Sequence, residues 1–330
     1  MKLSKLGDIL SKKKIAKVAK TALGLGIGAG AAYMGIGAAF YAALLSKKSV
    51  NRDHYVRTLS VDEYEVFKNG QNDPADYEGW YAYIKPQEQK LISLRGEQLY
   101  AEIIRQPEPT DKWVVICHGW TNWPQGMSKY SKFFYEKGYN ILLPYSGGHG
   151  KSEKKRVTMG WEDRFDVIDW LNYLVMIEPD AKIALFGASM GAATVIMVSG
   201  EELPENVKCC IEDCGFTTLY DMGTAIAENI LHISPHIPLH AARTVTKLIG
   251  RYDLKEVAPI DQIKKSKLPT LFIHGMKDDF VPFWMMDTLY DAAEVEKDRL
   301  AVPDAGHVES QEKHPELYWP KVFEFLGKYI

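Results

Sequence analysis

Cysteine is scarce, with four in 330 residues. None belongs to a C-x-x-C zinc pair, and neighbours such as Cys209 and Cys210 are poor disulfide partners for each other. A disulfide-dense scaffold is excluded, and buried free thiols are the expectation for Cys117, Cys209, Cys210 and Cys214. Internal repeats are missing, and so is low complexity outside one Gly/Ala-rich segment. The body also lacks basic excess. Residues 1–52 hold 10 of the 40 Lys+Arg and one of the 43 acids, leaving 30 bases against 42 acids beyond them. A surface of that sign repels polyanions, so nucleic acid is not an expected partner. The glycines near the N-terminus follow no strand and have no phosphate-binding lysine placed to help, which argues against a nucleotide loop.

What is present is an ordinary globular balance, 46% hydrophobic and 25% charged, at a length that suits one large domain or two small ones. Thr21–Leu45 is a run of 25 residues without a charge. As a helix it would reach roughly 37 Å, enough to cross a ~30 Å hydrocarbon core. Gly24/Gly28 and Gly26/Gly30 have the spacing of close-packing membrane helices, though small residues merely tolerated in a helix look the same. Seven lysines precede the run, while Lys47, Lys48, Arg52 and Arg57 follow it. That bias predicts a basic cytoplasmic tail over 1–20, a single-pass membrane anchor over 21–45 and an extracytoplasmic body. A cleaved signal peptide competes, but the apolar core is longer than the usual 7–15 residues and no A-x-A site stands out after it. Residues 46–88 read as a connector whose aromatics, Tyr55, Tyr64, Phe67, Tyr77, Trp80 and Tyr81, would pack on the body.

From there strands and helices alternate. Apolar runs predict strands at Leu99–Arg105, Trp113–Cys117, Tyr139–Leu143, Ile183–Phe186, Val207–Ile211, Leu271–His274 and Leu300–Val302. Helical spacing falls at Tyr130–Lys137, Trp161–Ile177, Met190–Ser199, Phe283–Ala293 and His314–Tyr329. The pattern predicts an α/β fold over about 89–330, a mostly parallel central sheet with helices on both faces. Functional groups then belong at the carboxyl ends of the strands. The alternation fails over about 215–263, which is too long for a structureless loop and reads as a helical cap.

Gly187-Ala188-Ser189-Met190-Gly191 lies between a predicted strand and a predicted helix. That is the context of a nucleophile elbow, in which glycines spare the tight turn a collision and the serine is presented above the sheet. A glycine-rich helix start with Ser189 as N-cap is the plainer alternative. A serine hydroxyl needs a base, and His307, in Pro303-Asp304-Ala305-Gly306-His307 after the last strand, is the best placed of nine histidines. The base needs a carboxylate to fix its tautomer. Asp278 follows the strand Leu271–His274, with Asp279 and Asp213 as rivals, and the chain order Ser189, Asp278, His307 suits this fold. The backbone amides of Met190 and of Trp120, in Cys117-His118-Gly119-Trp120, are candidates for an oxyanion hole, where each donor contributes about 3–4 kcal/mol. His118 could equally do no more than brace its loop.

Taken together, HGW (His118–Trp120), GHGKS (Gly148–Ser152), MGWEDRFDVIDWL (Met159–Leu171), GASMG, DCGF (Asp213–Phe216), HGMKDDFVP and AGH resemble an α/β-hydrolase. The likeness is to the bacterial membrane-anchored type grouped with serine aminopeptidase/monoacylglycerol lipase-like hydrolases, and it covers roughly residues 80–330. By the family's D-x-x-V-P pattern, the resemblance implies Asp278 as the acid. It also implies hydrolysis of an ester, amide or peptide bond through an acyl-enzyme, without metal or cofactor. Related proteins commonly carry an acid and an arginine before the GHG segment, whereas this chain has Pro144-Tyr145-Ser146-Gly147, so the bracing of that loop is an open question. A serine hydrolase of a small acyl ester, lipid or peptide is the expectation, ester first. A non-catalytic membrane-anchored scaffold on the same fold is the alternative.

Overall fold

A computed structural model describes residues 28–50 and 77–330. Eight strands form one sheet: β1 Gln87–Ile92, β2 Gln98–Ile104, β3 Lys112–Cys117, β4 Asn140–Pro144, β5 Lys182–Ala188, β6 Val207–Asp213, β7 Thr270–Gly275 and β8 Lys297–Val302. Their order is β1-β2-β4-β3-β5-β6-β7-β8. The β1–β2 and β2–β4 pairs are antiparallel and all others parallel, as the mostly parallel reading expects.

The central strands are covered on both faces, which is why they read as unbroken apolar runs. Val114 and Ile116 of β3 join Ile141, Phe186 and Ile211 in a core with Tyr130, Phe134, Trp319 and Phe325 of the helices Ser128–Glu136 and Pro315–Leu326. On the opposite face Trp113, Val115 and Cys117 meet Trp170 and Val195 of the helices Asp163–Ile177 and Met190–Ser199. All four cysteines are buried and free. β1, QEQKLI, is mostly exposed and pairs on one side only, so it offers no buried run to a sequence reading.

Above the carboxyl ends of the strands, the stretch after β6 holds the helices Leu219–Ala225 and His236–Val245, with π-helical turns at Ile226–Ile230 and Thr246–Gly250, before the helix Pro259–Ile263 packs beside Ile196 on the helix Met190–Ser199. The chain steps from β3 outward to β4 and returns to place β5 on β3's other side. A reversal of strand order of this kind opens a crevice at the strand ends.

The membrane-anchor expectation is overturned. No helix among the described residues is long and apolar enough to cross a membrane. Residues 21–27 lie outside the described residues. The rest of the run forms a helix of 16 residues, Ala29–Leu44, about 24 Å long at 1.5 Å per residue. It lies against the helix His236–Val245 so closely that a Cβ on Gly37 would stand 2.2 Å from the Ala241 carbonyl oxygen. Small apolar residues permit close helix packing whether the neighbour is a membrane helix or a cap, and here the neighbour is the cap. The transmembrane segment, the single-pass membrane placement and the extracytoplasmic body deduced from it fall together. Of the connector aromatics, Tyr55, Tyr64 and Phe67 lie outside the described residues. Tyr77, Trp80 and Tyr81 fall on the helix Tyr77–Ile84, where buried Tyr81 donates to Glu102 at 2.6 Å.

Candidate active site

Ser189 stands between β5 and the helix Met190–Ser199 with φ 58° and ψ −118°, a conformation that costs a non-glycine residue on the order of 1–2 kcal/mol. Both flanking glycines are required. A Cβ on Gly187 would lie 2.1 Å from the Gly191 carbonyl oxygen, and one on Gly191 would lie 2.0 Å from that of Cys117. The turn is therefore folded against itself and against β3 through backbone alone. Its amide is tied down as well: Ser189 N–H donates to the Asp213 carbonyl at 2.8 Å.

The loops after β7 and β8 are zipped together. Met276 N–H donates to Val302 at 3.0 Å and Lys277 N–H to Ala305 at 2.9 Å, while Gly275 leaves no room for a Cβ beside Ala305. This lays Asp278 beside His307. The imidazole bridges the two ends, with Nε2 2.8 Å from Ser189 Oγ and Nδ1 2.7 Å from Asp278 Oδ2. Asp278 Oδ1 accepts the Phe280 and Val281 amides at 2.9 and 2.8 Å. Burial opposes the Asp278 charge, but His307 and His274 outweigh it and hold the carboxyl well below its usual range. Of the two rivals, Asp279 is exposed. Asp213 is buried and taken by Tyr318 and Tyr130, whose hydroxyls donate at 2.9 and 3.4 Å.

The loop after β3 comes up against the serine, since a Cβ on Gly119 would be 3.6 Å from Ser189 Cβ. The Trp120 amide is carried on that loop. Met190 is the first residue of its helix, where an N–H has no intrahelical acceptor. His118 does brace: its Nε2 accepts the Ser146 amide at 3.0 Å and its Nδ1 faces the Gly119 carbonyl at 2.9 Å. Burial, aided by His149, pulls it to about 3 and keeps it neutral, as an acceptor must be. The GHG loop is braced by Asp163. Its Oδ1 accepts Gly147 N–H at 2.5 Å, and its Oδ2 accepts Thr158 Oγ1 and Gly160 N–H at 2.9 and 3.0 Å. The carboxylate that steadies this loop follows it in sequence instead of preceding it. An acid at the start of a predicted helix was the available signal.

Over Ser189 opens an apolar pocket of about 520 Å³ including its mouth, lined by Phe40, Leu44, Met159, Met222, Ile226 and Phe280 among others, none of them charged. Cys214, Asp278 and His307 present ligand atoms within 4.8 Å of one another, the one such group among the described residues. A cation held there would engage the two residues that face each other across the 2.7 Å contact.

Residues 112–232 match a protein family described as having the alpha/beta hydrolase fold. The uncharacterized protein YqkD of Bacillus subtilis (strain 168) is 31% identical over 228 residues, which is 67% of this chain and 72% of YqkD. The chain belongs to the α/β-hydrolase family. A B. subtilis protein named carboxylesterase is 24% identical over 66% of this chain and 93% of its own length. Other relatives, 24–26% identical, are matched over 61% of their length. Among solved structures, the Pyrococcus furiosus esterase Pf2001 has a TM-score of 0.62 at 22% identity, covering 79% of this chain and 97% of that one. The Pyrococcus horikoshii acylaminoacyl peptidase has a TM-score of 0.55 at 18% identity, covering 73% of this chain and 40% of that one. At those identities the likeness is one of fold.

Beneath the site of this α/β-hydrolase lies a second layer of buried polar groups. His274 Nε2 faces the Val281 carbonyl at 2.8 Å and Asp278 Oδ2 at 3.4 Å. Glu212 accepts the Gly215 amide at 2.8 Å, and its other oxygen has no partner among the described residues. Burial pushes Glu212 from its ordinary 4.5 up to about 8, against a smaller pull from His274. A carboxyl raised in the fold contributes stability that is complete below its unfolded value and is lost as pH rises through its folded one. The melting temperature should therefore fall between about pH 5 and 8, and Glu212→Gln should flatten that fall. Calorimetry across this range checks it; parallel curves for the two proteins would contradict the assignment.

Proposed function

We propose that this α/β-hydrolase is a serine hydrolase that cleaves carboxylic esters of apolar acyl groups through an acyl-enzyme. The observation that carries the reading is an uncharged, apolar pocket opening directly on the Oγ that lies 2.8 Å from His307. Ser189 Oγ attacks the acyl carbonyl carbon while His307 Nε2 takes its proton. Asp278 holds Nδ1–H and offsets the imidazolium charge. The amides of Trp120 and Met190 receive the oxyanion. The tetrahedral adduct collapses as His307 returns the proton to the departing alkoxide. Water, deprotonated by the same imidazole, then releases the acid and restores the serine.

Ester is preferred to aminoacyl substrate on charge. An α-ammonium group placed among these lining residues would find no carboxylate, and burying an unpaired charge is costly. The relative named carboxylesterase points the same way. The test is a fluorophosphonate probe with p-nitrophenyl esters. The wild type should be labelled and should turn over; Ser189→Ala should do neither. Equal labelling of both proteins would end the proposal.

A further inference from the structure

Most residues lining the pocket belong to the hydrolase body and its cap, and three do not. Phe40, Leu44 and Leu45 come from the helix Ala29–Leu44 and its first following residue. Residues four apart share a helix face, so Phe40 and Leu44 turn one stripe of this helix toward the serine. The helix is fixed where it lies. Gly37 abuts Ala241, and Tyr33 and Thr244 share a hydrogen bond at 2.9 Å. Leu45 accepts the Val157 amide at 3.1 Å, and Ser46 bridges to Arg156. Its end also reaches the oxyanion loop. The last carbonyls of a helix have no intrahelical partner. That of Leu44 accepts the Trp120 indole N–H at 3.0 Å.

We propose that this helix sets the substrate class: Phe40 and Leu44 are the specificity wall for the acyl chain, and the Trp120–Leu44 hydrogen bond makes the wall and the oxyanion loop one unit. The inference rests on the esterase reading and narrows it to esters of extended apolar acyl chains, long enough to reach from the serine to Phe40. A helix that served only to pack on the cap would leave its side chains between the two helices. This one places a stripe in the cavity and turns its terminal carbonyl to the indole of Trp120, on the loop beside Ser189. It also gives the uncharged run a use. The apolar residues that resemble a membrane span line a site for an apolar chain.

The experiment compares kcat/KM for p-nitrophenyl acetate, octanoate and dodecanoate in the full-length protein. One methylene gained or lost in an apolar pocket changes kcat/KM by roughly 10- to 200-fold. Leu44→Trp should lower the octanoate-to-acetate ratio of kcat/KM by at least about tenfold. Phe40→Ala should move the preference toward dodecanoate by about tenfold. Trp120→Phe, which keeps the amide and loses the indole N–H, should lower kcat on acetate and octanoate alike, by about threefold to tenfold. An unchanged circular-dichroism spectrum and melting temperature show that Leu44→Trp is folded; if it is not, Phe40→Ala decides. An octanoate-to-acetate ratio unchanged in Leu44→Trp, or a dodecanoate preference unchanged in Phe40→Ala, overturns the wall. Unaltered kcat in Trp120→Phe overturns the coupling. Ester hydrolysis that persists in Ser189→Ala would instead overturn the esterase reading.

Discussion

Asp278→Asn is expected to cut kcat by about 10⁴-fold on a p-nitrophenyl ester while the protein stays folded. The size follows from the tautomer. In the present arrangement Asp278 Oδ2 can only accept from His307 Nδ1, which leaves Nε2 free to take the proton of Ser189. An asparagine amide at the same place donates to Nδ1. The ring must then carry its hydrogen on Nε2, facing a hydroxyl it can no longer deprotonate. The fold has less reason to suffer, because the asparagine oxygen can keep the Phe280 and Val281 amides that Oδ1 now accepts. There is a stability effect of known sign. The Asp278 pKa is depressed, so its contribution is present above the ordinary carboxylate range and is lost as pH falls through the lower folded value. The variant should therefore lose some stability at neutral pH and little in strong acid. Turnover within tenfold of wild type would remove Asp278 from the mechanism.

Gly191→Ala should be the most damaging single methyl in the molecule. The added carbon would meet Cys117 O at 2.0 Å, Cys117 C at 2.6 Å and His118 O at 3.0 Å, all backbone of β3 and its loop. A flexible side chain could swing aside; a sheet strand cannot. Overpacking of this kind costs about 3 kcal/mol, at the upper end of the ordinary range. In a chain of 330 residues, whose unfolding entropy is about 0.7 kcal/mol/K, that is a loss of roughly 4 °C in Tm. Activity should fall further than stability, at least about 100-fold, because the methyl pushes Ser189 and the loop after β3 apart. Thermal melts and ester turnover on one preparation measure both. A variant within about 2 °C of wild type would show that the helix can slide away from β3.

The central sheet was legible because burial on both faces writes itself as an apolar run, as in Trp113–Cys117, and because the connecting helices repeat at 3.6 residues. β1 was not, since QEQKLI is an exposed edge. The positions of Ser189, Asp278 and His307 were legible from strand ends and chain order, and the structure brings the three side chains together. The carboxylates that support the site were harder to see. Asp163 braces the GHG loop from the start of the next helix, and Glu212 matters because it is fully buried within reach of the His274 charge; neither relation has a fixed spacing. The N-terminal run was misread for a definite reason. Absence of charge reports that a helix is surrounded by apolar matter, but not whether that matter is lipid, a cap helix or the wall of a pocket.

Four residues around the relay, Ser189, Cys214, Asp304 and Val308, sit in the left-handed region with φ between 57° and 61°. None is glycine, so each is a small debit carried by the surrounding sheet and cap. The corner that holds Ser189 is thus wound like a spring, and any slackening of its surroundings lets these four bonds turn downhill, out of alignment. The molecule's ability to act should vanish on warming before its helices do, and return only when the whole frame has closed again.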